Sequence, residues 1–507
     1  MKIGILEIIT LPAPSLVVGL KYALLNKQYA AITPQAISVW CRQLGHETFY
    51  ASYYGVGDPY SLLPQDLDIV FLSCCTLVSP LAYALSKLYR KAGVTTVIGG
   101  PHAESFPADC LRFFDLVVKD CNKSLIADIV AGQFEPGQYI STPKPFEDCP
   151  SVEERMPEIK ASQFFKKRWQ GIMTVIPVMT SMGCPYTCNF CTDWDSTYRV
   201  LSMDRFAEDL EYVSKHYPNA ILAFHEPNFA IQFDRIFNVL ESIPPESRVR
   251  YVMECSLSIM TESRLKRLKE TRCMVAIYGI ESWQDYSTKA GVKNKGGLEK
   301  VDRIAEHFQQ IHEQVPYLQA NLIFGLDSDR GDEPIALSKR FMEKAPFAWP
   351  VANIPVPFGG TPLFDQYLAE DRLLKAMPFA FYYFPYLVMV IKNYNPIAYY
   401  QKLIELSEYA SSPEISKKRL QSTSDWKMKT FHLLRAWGEL EESVKSYKEL
   451  LTMLESDSQF RAFHEGKSQK LPEFYRTRFD EMLGSYGELL SEAERTPCLE
   501  QLTPQIA

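Results

Sequence analysis

Gly183-Cys184-Pro185-Tyr186-Thr187-Cys188-Asn189-Phe190-Cys191 sets three cysteines in a C-x-x-x-C-x-x-C run near the middle of the chain. Thiolates this close cannot all be tied off in local disulfides, but they can converge on one face of a cubane iron–sulfur cluster. A [4Fe–4S] cluster has four irons, so three protein ligands leave one iron open to another molecule. The competing reading, a zinc knot, pairs two C-x-x-C hooks or needs a further Cys or His close by. The nearest histidine, His216, lies well downstream, and the sequence has no second hook.

Outward from the run, Val175 to Thr180 reads as a buried strand that delivers the cysteine loop from its C-terminal end. Apolar runs follow at Ala220–Phe224, Val249–Met253, Met274–Tyr278, Leu318–Phe324 and near Val351–Val356. Amphipathic stretches such as Met203–His216 and Leu298–Gln314 lie between them. This order predicts an α/β unit, an open partial (β/α)6 barrel over residues 171–365. Chemistry in such barrels collects at the C-terminal strand ends.

Residues 1–140 also alternate strand and helix, with Asp68–Ser73, Val94–Gly100 and Asp115–Val118 as buried strands and Leu77–Ala92 as a helix. That pattern predicts a doubly wound parallel sheet, whose ligands bind beyond the carboxyl ends of the strands. Gly99 and Gly100 follow one of these strands, where glycine lets backbone approach a ligand closely. A tight strand-to-helix turn would use the same two residues. Residues 141–170, with Pro143, Pro145, Pro150 and Pro157, read as a linker. Residues 366–507 read as a mainly helical C-terminal domain with an aromatic start, Phe379–Tyr400. These aromatics suit either a helical core or the wall of an apolar pocket.

The chain has 507 residues, 46% hydrophobic and 23% charged, with 54 basic against 61 acidic side chains and a net charge of −7. This balance argues against nucleic acid as a partner. The start, Met1-Lys2-Ile3-Gly4-Ile5-Leu6, reads as a first strand rather than a signal peptide. The densest apolar run, Tyr386–Ile391, is far short of the ~20 residues that span a bilayer. Twelve cysteines without a paired-spacing framework suit a reducing compartment, so a cytoplasmic location is expected.

With Phe190 at its aromatic position, the cysteine run resembles the signature of the radical S-adenosylmethionine (radical SAM) superfamily. The resemblance implies that Cys184, Cys188 and Cys191 hold a [4Fe–4S] cluster whose open iron binds SAM. An electron from the cluster then cleaves SAM to a 5′-deoxyadenosyl radical. His225-Glu226-Pro227-Asn228-Phe229 stands where the family binds the amino group of SAM, which points to Glu226 and Asn228. A helix N-cap would account for the same polar residues. Gly279-Ile280-Glu281-Ser282 resembles a turn that packs on the adenosine, with Glu281 placed for the ribose hydroxyls. Gly325–Asp329 and Pro357–Phe364 resemble the closing loops of the same barrels.

The N-terminal domain resembles the cobalamin-binding domain of one radical SAM branch, most closely at Gly99-Gly100-Pro101-His102-Ala103. It lacks the Asp-x-His-x-x-Gly motif that presents histidine to cobalt, and His46 reads as a helix-to-strand turn residue. Cobalamin would then bind with its base detached and no histidine beneath the metal, as is usual in this branch. Lys119-Asp120-Cys121-Asn122-Lys123 departs from the acidic element often found there. A second cluster on Cys41, Cys74 and Cys110, as in methylthiotransferases, fits poorly, because Cys41 falls within a helix and no C-terminal β-barrel follows.

The resemblance implies a radical SAM enzyme that uses cobalamin for methyl transfer to an unactivated carbon, fed by an external flavodoxin- or ferredoxin-type electron donor. A cyclisation or rearrangement without methyl transfer, or a non-catalytic iron–sulfur protein, would be the alternatives. The substrate, a small molecule or a lipid, is not specified by the sequence.

Overall fold

The computed structural model describes residues 1–25, 30–162, 174–284, 286, 288–292 and 296–507. The end of the expected linker and the start of the expected barrel lie outside these residues.

The first sheet contains β1 (Lys2–Ile8), β2 (Glu47–Tyr53), β3 (Ile69–Cys74), β4 (Thr95–Gly99), β5 (Leu116–Val118) and β6 (Gln138–Ser141), all parallel. Their spatial order is β6-β5-β4-β3-β1-β2. The order reverses between β1 and β3, and ligands of doubly wound sheets bind in the crevice at such a switch point. β1 and β3 are buried on both faces, as strands flanked by helices must be.

The second sheet begins with β7 (Val175–Val178). A two-stranded antiparallel hairpin follows, β8 (Ser181–Met182) with β9 (Arg199–Val200). Then come β10 (Ile221–Phe224), β11 (Arg250–Cys255), β12 (Cys273–Glu281), β13 (Tyr317–Ile323) and β14 (Ala348–Asn353). The six long strands are parallel and stand in chain order from β7 to β14, which makes an open barrel. β13 alternates buried and partly exposed residues, so one face packs on helices while the other stays accessible inside the barrel. The amphipathic stretches are helices at Met203–His216 and Gly297–His312, the first capped by the Ser202 hydroxyl accepting from the Arg205 N–H.

The strand expected near Val351–Val356 instead runs from Ala348 to Asn353, through Pro350. Proline is tolerated because β14 is an edge strand. The stretch expected as a linker carries a helix, Val152–Ser162, with Pro157 inside it. Tertiary contacts hold that helix. The buried Arg155 donates to Gln35 Oε1 (2.8 Å) and to the Pro177 carbonyl (3.1 Å), and Glu158 accepts from Ser38 Oγ (2.7 Å) and pairs with Arg42.

The C-terminal helices clasp the first domain. Arg112 donates to the Thr496 and Ala493 carbonyls, and the Cys498 N–H donates to Asp109 Oδ1. A last short strand, β15 (Gln505–Ile506), pairs with β6. One apolar core runs from β3 through Phe106 and the aromatic run Phe379–Phe381 into the C-terminal helices.

Candidate functional site

β7 and the hairpin β8/β9 present the cysteine loop at the C-terminal end of the barrel. Gly183 enters it at φ +68°, and a Cβ there would lie 2.6 Å from the Thr197 carbonyl oxygen, so glycine is needed. The Cys184 N–H donates to Ser196 Oγ (3.1 Å), and the Cys191 N–H donates to the Cys188 carbonyl (3.0 Å). Cys184 is buried, while Cys188 and Cys191 are partly exposed. The loop is also pinned from outside. Leu363 N–H donates to the Asn189 carbonyl (2.9 Å), Trp194 Nε1–H to the Gly360 carbonyl (2.8 Å), and Tyr286 O–H to Asn189 Oδ1 (2.5 Å). The Phe190 ring stacks on Tyr286, centroids 5.9 Å apart.

Glu226, just past β10, is buried and accepts from the Thr180 N–H through Oε1. Its Oε2 has no hydrogen-bond partner among the described residues. Burial pushes this carboxyl up to about 7, with Thr180 pulling the other way. An orphaned buried carboxylate oxygen fits the ammonium group expected of SAM. Asn228 is committed to protein contacts. Its Nδ2 donates to Ser256 Oγ (2.7 Å) and lies 3.8 Å from Cys184 Sγ, and its Oδ1 accepts from the Ser256 N–H (2.8 Å).

Glu281 lies within β12, at a register shift, and not in a turn after it. It adopts φ +66°, and its carboxylate folds back over Gly279, where a Cβ would meet Oε1 at 2.2 Å. Burial pushes Glu281 up to about 7, Glu254 adds to the rise, and Lys289 and Lys300 oppose it.

Lys289 was not singled out by the sequence, because nothing local marks it. Burial pulls its ammonium down, but the charges of Cys188, Cys184, Glu281 and Cys191 more than offset that. A cation beside all three thiols suits a cluster that gains negative charge on reduction.

Across from the loop lies the switch point of the first sheet. Gly100, at the end of β4, sits at φ +93°, with its would-be Cβ 2.9 Å from Ser73 Oγ. Gly99 and Gly100 border a small cavity of about 40 Å³ beside Ser73 and Lys119. His102 does not face this crevice. It is buried, 2.5 Å from the Tyr83 hydroxyl and edge-on to Phe379, and burial holds its imidazolium down to about 3. His46 sits in the turn between a helix and β2. Cys41 belongs to the core on one face of the first sheet, and Cys74 and Cys110 to the core on the other.

A cavity of about 1040 Å³ joins the two halves. The loop after β1 (Thr10–Pro14), the loop after β3 (Cys75–Leu77) and Pro101 form one wall, Phe190 and Cys191 another, and the aromatic run Tyr382–Tyr386 a third. The aromatics are thus divided, with Phe379 and Phe381 in the core and the next residues on the cavity.

Residues 178–327 match the radical SAM superfamily. The bacteriochlorophyllide d C-8(2)-methyltransferase of Chlorobaculum tepidum is 22% identical over 356 residues, 67% of this chain and 77% of that protein. The C-12(1)-methyltransferase of the same organism is 21% identical over 328 residues, 61% and 68% of the two chains. Among solved structures, TsrM from Kitasatospora setae is a radical S-adenosylmethionine methyltransferase, seen with cobalamin and a [4Fe–4S] cluster. It shares 13% identity with a TM-score of 0.53, over 74% of this chain and 76% of that one. OxsB, a cobalamin-dependent S-adenosylmethionine radical enzyme seen with aqua-cobalamin and SAM, shares 11% identity with a TM-score of 0.57, over 96% and 79%. Both likenesses concern the fold, a doubly wound sheet followed by a partial barrel. With the three cysteines at the head of the matched segment, the chain carries a radical SAM domain over residues 178–327.

Proposed function

We propose that this protein is a cobalamin-dependent radical SAM methyltransferase acting on an apolar substrate. The observation that supports this reading best is the shared cavity of about 1040 Å³, which has the switch-point loops on one side and Phe190 and Cys191 on the other. Cys184, Cys188 and Cys191 would hold the cluster, Glu226 and Glu281 would bind SAM, and the loops at Thr10–Pro14, Cys75–Leu77 and Gly99-Gly100 would hold cobalamin. When bound, these groups supply one-electron cleavage of SAM and a transferable methyl group.

The chain's own residues do the rest. Glu226 Oε2 accepts the ammonium of SAM, and the carboxylate of Glu281 can accept both ribose hydroxyls. Asn228 fixes Cys184 from one side and Ser256 from the other. Phe190, braced by Tyr286, lines the cavity beside Cys191, and Tyr382–Tyr386 form its aromatic wall. His102 is held in the core by Tyr83 and is not free to ligate cobalt, and Thr10–Pro14 and Thr76 would be among the residues that hold cobalamin. Curated relatives are named as bacteriochlorophyllide d methyltransferases. An apolar ring of that kind suits a cavity walled by aromatic side chains. The twelve cysteines form no disulfide, which suits a reducing compartment such as the cytoplasm, and an external flavodoxin- or ferredoxin-type donor would reduce the cluster.

The test is anaerobic reconstitution of protein grown with cobalamin. Retained corrinoid absorbance, 5′-deoxyadenosine formation with reductant, and transfer of label from methyl-labelled SAM are expected. A cluster-loaded protein that cleaves SAM but never retains corrinoid would move the reading to rearrangement. One that does not cleave SAM would overturn the enzyme itself.

A further inference from the structure

The helix Trp426–Gly438 and the turn after it carry an apolar face that no described residue covers. Trp426, Leu433, Trp437 and Leu440 recur at i, i+7, i+11 and i+14, one side of a helix, and the tryptophans are 69% and 64% exposed. The opposite side is firmly docked. His432 and Ala436 are buried, His432 packs on Tyr317, and Arg435 stacks over Trp349. A second element also carries bare apolar residues. On the helix Leu16–Leu25, Leu16 is 95% exposed and Val17 and Leu20 are also bare. Lys21 ties that helix to Glu442, two residues past Leu440. Lys21, Tyr22 and Glu442 also line the cavity of about 1040 Å³.

Contiguous apolar surface of this kind marks an interaction site. We propose that it docks the protein on an anionic lipid bilayer. The chemistry of the face selects lipid. Tryptophans with leucines between them, flanked by lysines, are the pattern of helices that lie in the headgroup region. Lys427, exposed, and Lys429, half-buried, stand beside Trp426 and form no ion pair among the described residues. Of the acidic groups on this element, Asp425 accepts from the Lys427 N–H as the N-cap, Glu439, Glu441 and Glu442 lie at the far end from Trp426, and Lys21 neutralises Glu442. No helix among the described residues is long and apolar enough to cross a membrane, so the contact is peripheral. Delivery of a lipid-dissolved substrate from that surface rests on the methyltransferase reading, whereas docking rests on the surface alone.

Flotation of the full-length protein with vesicles tests this without cluster, SAM or substrate, so its failure is separable from failure of the chemistry. Wild type is expected to float with vesicles of equal parts phosphatidylcholine and phosphatidylglycerol, less so in high salt, with tryptophan emission shifted to the blue. Leu433→Glu combined with Trp437→Glu is expected to lower vesicle affinity about tenfold or more, with the melting temperature unchanged. Lys427→Glu combined with Lys429→Glu is expected to weaken binding and abolish its salt dependence, with the melting temperature nearly unchanged. Failure of wild type to float, or equal flotation of both double variants, would overturn the proposal. So would a stable dimer that Trp437→Glu converts to monomer, since the face would then belong to a second copy.

Discussion

The side-chain amide of Asn228 lies 3.8 Å from the sulfur of Cys184 while both of its ends are held by Ser256. One buried residue thus joins the ends of β10 and β11 to the first cysteine of the loop. Its orientation is fixed before any cofactor arrives, and a hydrogen bond to a cluster sulfur stabilises the more negative, reduced state.

Asn228→Ala is therefore expected to act on two readouts. Leaving the Ser256 N–H and hydroxyl without their partner should cost about 1–3 kcal/mol of stability, measured by denaturant unfolding. Loss of the donor to Cys184 should also lower the reduction potential of the reconstituted cluster in an EPR-monitored titration. A destabilised protein with an unchanged potential would reduce Asn228 to a structural brace.

With Glu226 as the proposed partner of the SAM ammonium, SAM binding should be pH-dependent. Its carboxyl sits at about 7 in the ligand-free protein, against 4.5 for an unperturbed glutamate. A raised carboxyl pKa contributes stability that is present below pH 4.5 and lost as pH rises through 7, about 3 kcal/mol for this group. A bound ammonium needs the ionised form, so SAM affinity should rise about tenfold per unit toward pH 7 and then level off. Equilibrium dialysis under anaerobic conditions measures it. Glu226→Gln should bind SAM weakly with no such slope, and a variant that keeps the slope would assign it to another group.

The barrel was largely legible in the sequence because each of its strands is a short, strongly apolar run between amphipathic helices. What was not legible depends on distant partners. Pro350 displaced the reading of the last strand, since only the finished sheet shows that β14 is an edge. Pro157 hid a helix that buried contacts from Arg155 and Glu158 sustain. The cysteines carried a strong local spacing, whereas Lys289 reaches them from far along the chain and carried none. The cavity was beyond sequence reading, because its walls come from segments near residues 10, 75, 190 and 384 that only the fold brings together.

Cys188→Ala should separate chemistry from folding. Cys188 sits partly exposed in a surface loop and outside the apolar cores, so removing its thiol should leave the melting temperature nearly unchanged. Iron content after reconstitution should fall, and reductive SAM cleavage should vanish, because two thiolates cannot hold a site-differentiated cubane. Full activity in this variant would overturn the ligand assignment.

Gly100→Ala should report on the first sheet's crevice. Its φ of +93° disfavours any side chain, and the new methyl group would stand 2.9 Å from Ser73 Oγ and 3.1 Å from the Cys74 carbonyl oxygen. Both neighbours are at the end of β3, beside the switch point, so relief requires that strand end to move. The strain should cost about 1–3 kcal/mol. The expected signature is loss of corrinoid absorbance in protein grown with cobalamin, alongside iron content and SAM cleavage that stay near wild type, because the barrel is untouched. Unchanged corrinoid content would mean that cobalamin does not rest on this loop.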